Sequence, residues 1–487
     1  MGDVNGPTTA TPGGPLTWTS DRGELHLRRG VDVGTGCVVV DLDAVASNVA
    51  SLAARTGRPV LAVVKADAYG HGLVPAARAA LAGGATWLGV AQLDEALSLR
   101  DAGVDAPLLA WLLSLEREPV AAALRRQVTL GLSHPGQLAT VLDAARASGQ
   151  VADVHVKVDT GLNRNGVPLA DLPAFARELA GAEQAGLLSV GGIFSHLAWA
   201  DSPRHRTVDR QARLFGEAVE VVRAAGLRPT WRHLANSAAT LTRADLHLDL
   251  VRPGLAVYGL SPVPELASAA ELGLRPAMSV HSRLALVKSV AAGDGVSYGH
   301  VWTAPTDTVL GLVPLGYADG LPRAATGRAE MWVGGRSGRR VPVVGRICMD
   351  QVMLDLGPDA VEQLGDEVVV MGPGVRGEPT AEDWAQAAGT ISYEVVARMG
   401  ARLPRYTSGT ADPVLPDPEP VLLDLDGLPG HDGDVDVDST RDLDPVDASE
   451  ADEADETDDG WSDVADDLGD HGPAATDERV PARGSSW

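Results

Sequence analysis

The feature that most constrains this chain is an alternation that begins at Cys37. Short apolar runs take turns with longer Ala-, Leu- and Arg-rich segments. The runs are VLAVVK (60–65), WLGVAQ (87–92), PLLAWL (107–112), VTLGLS (128–133), VHVKVD (154–159), VGGIFSH (190–196), TWRHLAN (230–236) and HLDLV (247–251). Each reads as a strand. The segments between them, such as DEALSLRDAG and TVDRQARLFGEAVEVVRAAG, place apolar residues three and four apart and read as helices. Eight such units in roughly 220 residues match a closed eight-stranded β/α barrel in size and repeat number. A doubly wound open sheet is the alternative that composition leaves standing.

From about residue 277 the helical period fades, and β-rich segments bounded by turns take over: SVHSRLALVKSV, TVLGLVPLG, RRVPVVGRICMDQVMLDL and DEVVVMG. The 487 residues exceed what a single core normally fills. The expected division is a flexible extension over 1–34, a barrel domain over 35–276, a mostly β domain over 277–408 and an acidic tail over 409–487. The first strand residues of the barrel segment can also pair with the β domain. The tail stretch DVDVDST (434–440) has alternating carboxylates but lacks the glycine and closing glutamate of a calcium loop, so it reads as solvated chain and no metal site is expected.

The net charge of −26 belongs mainly to that tail. Residues 411–487 hold 25 Asp and Glu against three Arg, and the remaining 41 acidic and 37 basic residues leave only −4 for the body. The body therefore has no basic field for nucleic acid and no membrane patch. Only two cysteines are present, Cys37 and Cys348, and neither a signal-like apolar core nor a membrane-length run occurs. The expected location is the cytoplasm. Cys348 reads as a small packed residue, because no histidine lies near it in sequence.

In a parallel barrel the active site is built at the C-terminal ends of the strands. The polar residues there are Lys65 after the first run, Lys157 and Asp159 in the fifth, His196 after the sixth, Asn236 and Ser237 after the seventh, and Arg252 and Gly254 after the eighth. A lysine held in a partly desolvated mouth is disfavoured as an ammonium and becomes available as a neutral amine for a carbonyl cofactor. An ordinary lysine snorkelling from the rim is the competing reading.

The string AVVKADAYGHG around Lys65 resembles the pyridoxal-phosphate site of the alanine racemase family. HVKVDTGLNRNG, GIFSHLAWAD, HLANSAAT, VRPGLAVYGL, GVSYG, GYADG, GRICMDQ and ISYEV resemble further family segments in the same order, across about residues 36–407. The resemblance implies interconversion of L- and D-alanine, supplying D-alanine for peptidoglycan. It makes Lys65 the cofactor-bearing lysine and one acid/base, and Tyr298 the second on the opposite face. Two bases are needed because the α-proton leaves one face and returns to the other.

The same resemblance makes Arg252 the donor to the pyridine nitrogen, and places Tyr69, Asn236, Ser237, Gly254, Leu255 and Tyr393 around the cofactor and its phosphate. His196 is expected to hydrogen-bond Arg252 or to lie near the ring. Arg164 would support the substrate carboxylate, and Lys157 is a candidate for carbamylation. Tyr298, Met349 and Asp350 would come from the partner of a homodimer, with Tyr317 at the substrate entrance. Two alternatives remain: a cofactor carrier, which has no need of the β domain, and a decarboxylase of similar architecture, which would pair the ring nitrogen with a carboxylate where this chain offers Arg252.

Overall fold

The computed structural model describes Gly34–Gly409 apart from Ser114, Arg336 and Ser337. The expected extension before residue 34 and the acidic tail after 409, with its DVDVDST stretch, lie outside the described residues. The chain enters through strand β1 (Gly36–Asp41), and Asp41 then accepts the Ala44 N–H at 2.9 Å to cap the helix Leu42–Thr56. Gly57, at φ 57°, closes that helix in the left-handed region that glycine adopts without penalty.

The barrel strands follow: β2 (Leu61–Val63), β3 (Trp87–Gln92), β4 (Leu108–Leu112), β5 (Thr129–Leu132), β6 (Ala152–Asp159), the two-residue β7 (Val167–Pro168) appended to β6, β8 (Leu188–Phe194) and β9 (Trp231–His233). All pair in parallel in the order β2-β3-β4-β5-β6-β8-β9. Side chains alternate as a two-sided strand requires. Leu61, Val63, Trp87, Leu109 and Leu250 pack together inside the barrel, whereas Val60, Ala62, Val64, Leu88 and Val90 join the larger core under the helices.

The eighth expected strand, HLDLV, is not a regular strand. Leu248 takes a φ of 51°, which breaks the extended run, and Pro253 beyond it has no N–H to offer. Its remnant still closes the sheet. Val251 bridges Val60, the Leu61 N–H donates to Val251 O at 2.8 Å, and on the other side the Asp249 N–H donates to Arg232 O at 3.1 Å. This closure excludes the open doubly wound sheet.

The β domain contributes β10 (Met278–Arg283), β11 (Leu286–Val290), the short pair β12 (Gly295–Val296) and β13 (Trp302–Thr303), β14 (Thr308–Val313), β15 (Glu330–Val333), β16 (Arg339–Val344), β17 (Val352–Gly357), β18 (Glu367–Met371) and β19 (Arg405–Ser408). Nine strands run in the order β11-β14-β17-β16-β15-β18-β10-β1-β19. SVHSRLALVKSV divides into β10 and β11 because its backbone changes partner. Leu284 N–H bonds Asp366 O at 3.0 Å, and Ala285 N–H bonds Leu312 O at 2.8 Å.

β1 lies between β10 and β19, so the strand that precedes the barrel is held in the β sheet. The helix after β1 is then clamped through Asn48 to the last barrel segment, just before the chain enters the β domain. This fully buried amide donates to Val257 O and Arg275 O at 3.2 and 2.9 Å and accepts the Arg275 N–H at 2.8 Å. Substituting Asn48→Ala strands these backbone groups, and the expected loss is about 2–4 kcal/mol in denaturant unfolding. A loss below about 0.5 kcal/mol, the range of ordinary surface changes, would show that the clamp adds no net stability.

Candidate active site

Lys65 stands two residues beyond β2, where the chain enters a left-handed turn. Ala66, Asp67, Ala68 and Tyr69 all have φ between 53° and 55°. None is glycine, and each left-handed residue with a Cβ costs roughly 1–2 kcal/mol, so the surroundings must impose this path. Glu95 does so from the first turn of the helix Leu93–Asp101, accepting the Ala66 N–H at 2.5 Å and those of Ala91 and Gln92 at 2.9 Å. Asp67 accepts the Leu73 N–H at 2.7 Å, and Arg405, on β19 of the other domain, donates to Gly70 O at 2.8 Å. A Cβ on Gly70 would run into Val396 O, so only glycine lets the turn approach the β domain this closely.

The turn delivers Lys65 and Tyr69 to a cavity of about 490 Å³. Around it the structure gathers most of the expected residues: Lys65, Tyr69, Lys157, Arg164, His196, Asn236, Ser237, Arg252, Gly254, Leu255 and Tyr393. Ser237 Oγ accepts the N–H of Gly254 at 2.8 Å and of Ala256 at 3.3 Å, which leaves its own proton for a bound group. A Cβ on Gly254 would collide with the Tyr69 hydroxyl. Glycine there keeps a small polar cradle open, and with the Tyr69 and Tyr393 hydroxyls nearby it suits a phosphate.

Four cationic side chains share this space, and both lysines are depressed by burial and by their cationic neighbours. Burial first, then Arg164, lowers the Lys65 amine from its ordinary range. Lys157 is brought down to about 8 by burial, followed by Arg164, Arg252 and Lys65. Burial alone lowers Arg252 to about 9, and burial with Arg252 behind it holds His196 neutral with a pKa of about 3. Such a site favours anions and makes lysine amines available without their protons.

Arg252 is oriented by carbonyls. Nη2 donates to Ser195 O at 2.6 Å, Nη1 donates to His233 O at 2.6 Å, and the guanidinium lies 5.5 Å from the centre of the Phe194 ring. The expected hydrogen bond from His196 to Arg252 is not formed. His233 takes that place, with Nδ1 3.2 Å from Arg252 Nη1, because β9 ends at His233 and turns its ring beneath the guanidinium. His233 in TWRHLAN carried no expected role, nor did Trp111 in PLLAWL and Phe194 in VGGIFSH, and these last two line the cavity. Inward alternation along β4, β8 and β9 is the signal that would have found them.

Tyr298, Met349 and Asp350 do not reach this cavity. They line a separate open cleft beside β12 and β17 in the β domain, and that cleft shares no residue with the first. Tyr298 is 70% exposed and Met349 53%. Asp350 pairs with Arg402 at 2.7 Å, and Tyr317 is held next to this strip through its N–H on Cys348 O at 3.0 Å. Among the described residues no cluster suited to a metal ion occurs.

Fold and cavity together define a class, a β/α-barrel protein with a lysine-bearing, anion-accepting site at the strand C-termini and a β domain behind it. The alanine racemase N-terminal domain matches residues 40–262 and the alanine racemase C-terminal domain residues 277–407. The alanine racemase of Frankia casuarinae is 54% identical over 370 residues, covering 76% of this chain and 95% of the relative. That of Thermobifida fusca is 54% identical over 371 residues, covering 76% and 97%. The alanine racemase structure from a D-cycloserine-producing Streptomyces lavendulae superposes with a TM-score of 0.75 at 48% identity, covering 77% of this chain and 97% of that one. The chain belongs to the alanine racemase family, isomerases whose reaction is the racemisation of alanine.

The left-handed turn yields a direct test. Glu95→Ala removes the acceptor of the Ala66, Ala91 and Gln92 N–H groups, and the expected result is a stability loss of about 1–3 kcal/mol with faster amide exchange at Ala91, at Gln92 and across the turn residues 66–69. Unchanged exchange across 66–69 would mean that the turn holds without Glu95.

Proposed function

We propose that this chain racemises alanine with pyridoxal phosphate, as a homodimer that shares its active sites. The observation that carries this reading is the convergence of Lys65, Tyr69, Ser237, Arg252 and Gly254 on one basic cavity at the barrel mouth. Pyridoxal phosphate, when bound, supplies the electron sink that makes the substrate's α-C–H bond acidic. Lys65 is the residue that would hold it, and Tyr69, Asn236, Ser237, Gly254, Leu255 and Tyr393 would hold its phosphate and rim. Arg252 can only donate, so it would hold the cofactor's ring nitrogen without supplying the carboxylate that favours a protonated ring, and the electron sink would be moderate. That restraint favours simple proton exchange over decarboxylation.

The amine of Lys65, lowered by burial and by Arg164, takes the α-proton on one face. Tyr298 Oη serves the other face. Because Tyr298 is exposed and lies outside the Lys65 cavity in its own chain, a second copy has to deliver it, with Met349 and Asp350 from the same cleft. Arg164 receives the substrate carboxylate and Tyr317 borders the entrance. Among the described residues no helix is long and apolar enough to cross a membrane, and both cysteines are unbridged. We place the enzyme in the cytoplasm, where D-alanine would feed peptidoglycan synthesis.

Lys157 has a further role in this reading. As pH rises through about 8 its amine loses the proton and can add to carbon dioxide. The N–C bond forms, the departing amine proton goes to water, and the resulting carbamate is an anion among cations. In ¹³C-bicarbonate a carbamate carbon signal is expected to grow with pH through that value and to vanish in Lys157→Ala. Absence of the signal would leave Lys157 a plain amine.

The main test is chiral analysis of L-alanine incubated with cofactor-saturated protein, where an equal mixture of enantiomers is expected. Lys65→Ala and Tyr298→Phe should each lose at least about a hundredfold in kcat, the usual worth of a positioned acid/base. Mixing and re-equilibrating the two variants should restore roughly a quarter of wild-type activity, because half the dimers then carry one intact shared site. No recovery would place both bases in one chain. Bound cofactor without racemisation would overturn the reading as a whole.

A further inference from the structure

Below the cavity, three buried side chains form a hydrogen-bond chain whose direction follows from what each group can do. Arg252 Nη1 lies 3.2 Å from His233 Nδ1. A guanidinium has donors only, so His233 Nδ1 accepts and the ring proton sits on Nε2. His233 Nε2 lies 2.9 Å from His155 Nδ1. His155 therefore accepts at Nδ1 and carries its own proton on Nε2. Both imidazoles are neutral and share one tautomer, in keeping with burial, reinforced by Arg252, which pushes His155 down to about 3 and His233 well below the usual range.

The far end of the chain is His155 Nε2, which is fully buried and has no hydrogen-bond partner among the described residues. It borders the same face of Gly191 as Asp153 Oδ1, and Thr129 holds the other Asp153 oxygen at 2.7 Å. The N–H dipoles thus run in one direction, away from the guanidinium and down to His155 Nε2. The register supports the ring: His155 on β6 pairs with Gly192 on β8, where a Cβ would sit 2.7 Å from the imidazole. Glycine at 192 is what allows a ring at 155.

We propose that His155 is a positioning residue for Arg252: by accepting from His233 Nε2–H it fixes the His233 tautomer that faces the guanidinium. The role rests on the reading of Arg252 as the group that meets the cofactor. Without the acceptor at 155, His233 can move its proton to Nδ1. Two donors would then confront each other at Arg252.

A pair of substitutions separates this role from space-filling. His155→Phe keeps the ring volume and removes the acceptor. His155→Asn loses volume but keeps an oxygen where Nδ1 was. Positioning requires the Phe variant to be the damaging one, with kcat and cofactor affinity lowered roughly 5- to 100-fold, the effect of one unmatched buried donor, at little change in KM. Asn should stay within about threefold of wild type, a small fraction of that loss. The reverse order, or a Phe variant with unaltered kcat and affinity, would overturn the proposal.

Histidine ¹⁵N resonances of the full chain without cofactor give a second readout that needs no turnover and no variant. His233 should be protonated at Nε2 and bare at Nδ1. A proton on Nδ1, or on both nitrogens, would overturn the proposal even if the chain races through alanine. The expected tautomer in a chain that racemises nothing would uphold the hydrogen-bond chain while the racemase reading failed.

Discussion

The geometry of the site depends on one strained passage, the left-handed turn from Ala66 to Tyr69. It converts the end of a barrel strand into a platform that presents Lys65 and Tyr69 together, and it is secured from two sides. Glu95 grips it from the barrel, Arg405 from the β domain, and Gly70 removes the methylene that would push the domains apart. A path this costly persists where neighbouring groups over-determine it, which is how functional sites commonly store strain. The β domain is therefore part of the scaffold of the lysine as well as the carrier of Tyr298.

Electrostatics set the second constraint. Lys65, Lys157, Arg164 and Arg252 line one cavity whose lining includes a single carboxylate, Glu394, already engaged by Arg398 at 2.9 Å. Burial and then the neighbouring cations lower the proton affinity of the two lysines, and anionic groups are the natural relief. A phosphate, a substrate carboxylate and a carbamate would each answer part of that charge. Arg252 sits deepest, held by carbonyls and by His233 in a pocket where no carboxylate competes for it.

Much of this was legible in the chain itself. The apolar runs marked seven regular barrel strands, and their polar ends marked Lys65, Lys157 and Ser237, because a residue at the end of a parallel strand has few places to go but the mouth; Arg252 and Gly254 were marked by the eighth run. As a strand, that run misled. HLDLV has strand-like composition, but Leu248 turns out of the β region and only Val251 remains in register. His233 was passed over because a histidine on a short strand gives no sign of which neighbour it will meet. EMWV, the strand β15, lacked the alternation that flagged its neighbours.

By itself the sequence determined the period of its elements, the order of its motifs and the confinement of acidity to its end, since these are local properties of composition and spacing. Tertiary structure decided what depends on closure and approach. It placed β1 inside the β sheet, bent the Ala-Asp-Ala-Tyr stretch into a left-handed turn that its alanines and tyrosine disfavour, and set His155 against His233 across 78 positions of sequence. It also kept Tyr298 out of the cavity of its own chain. Contacts between distant segments are fixed by how sheets close and domains pack, and no local pattern encodes them.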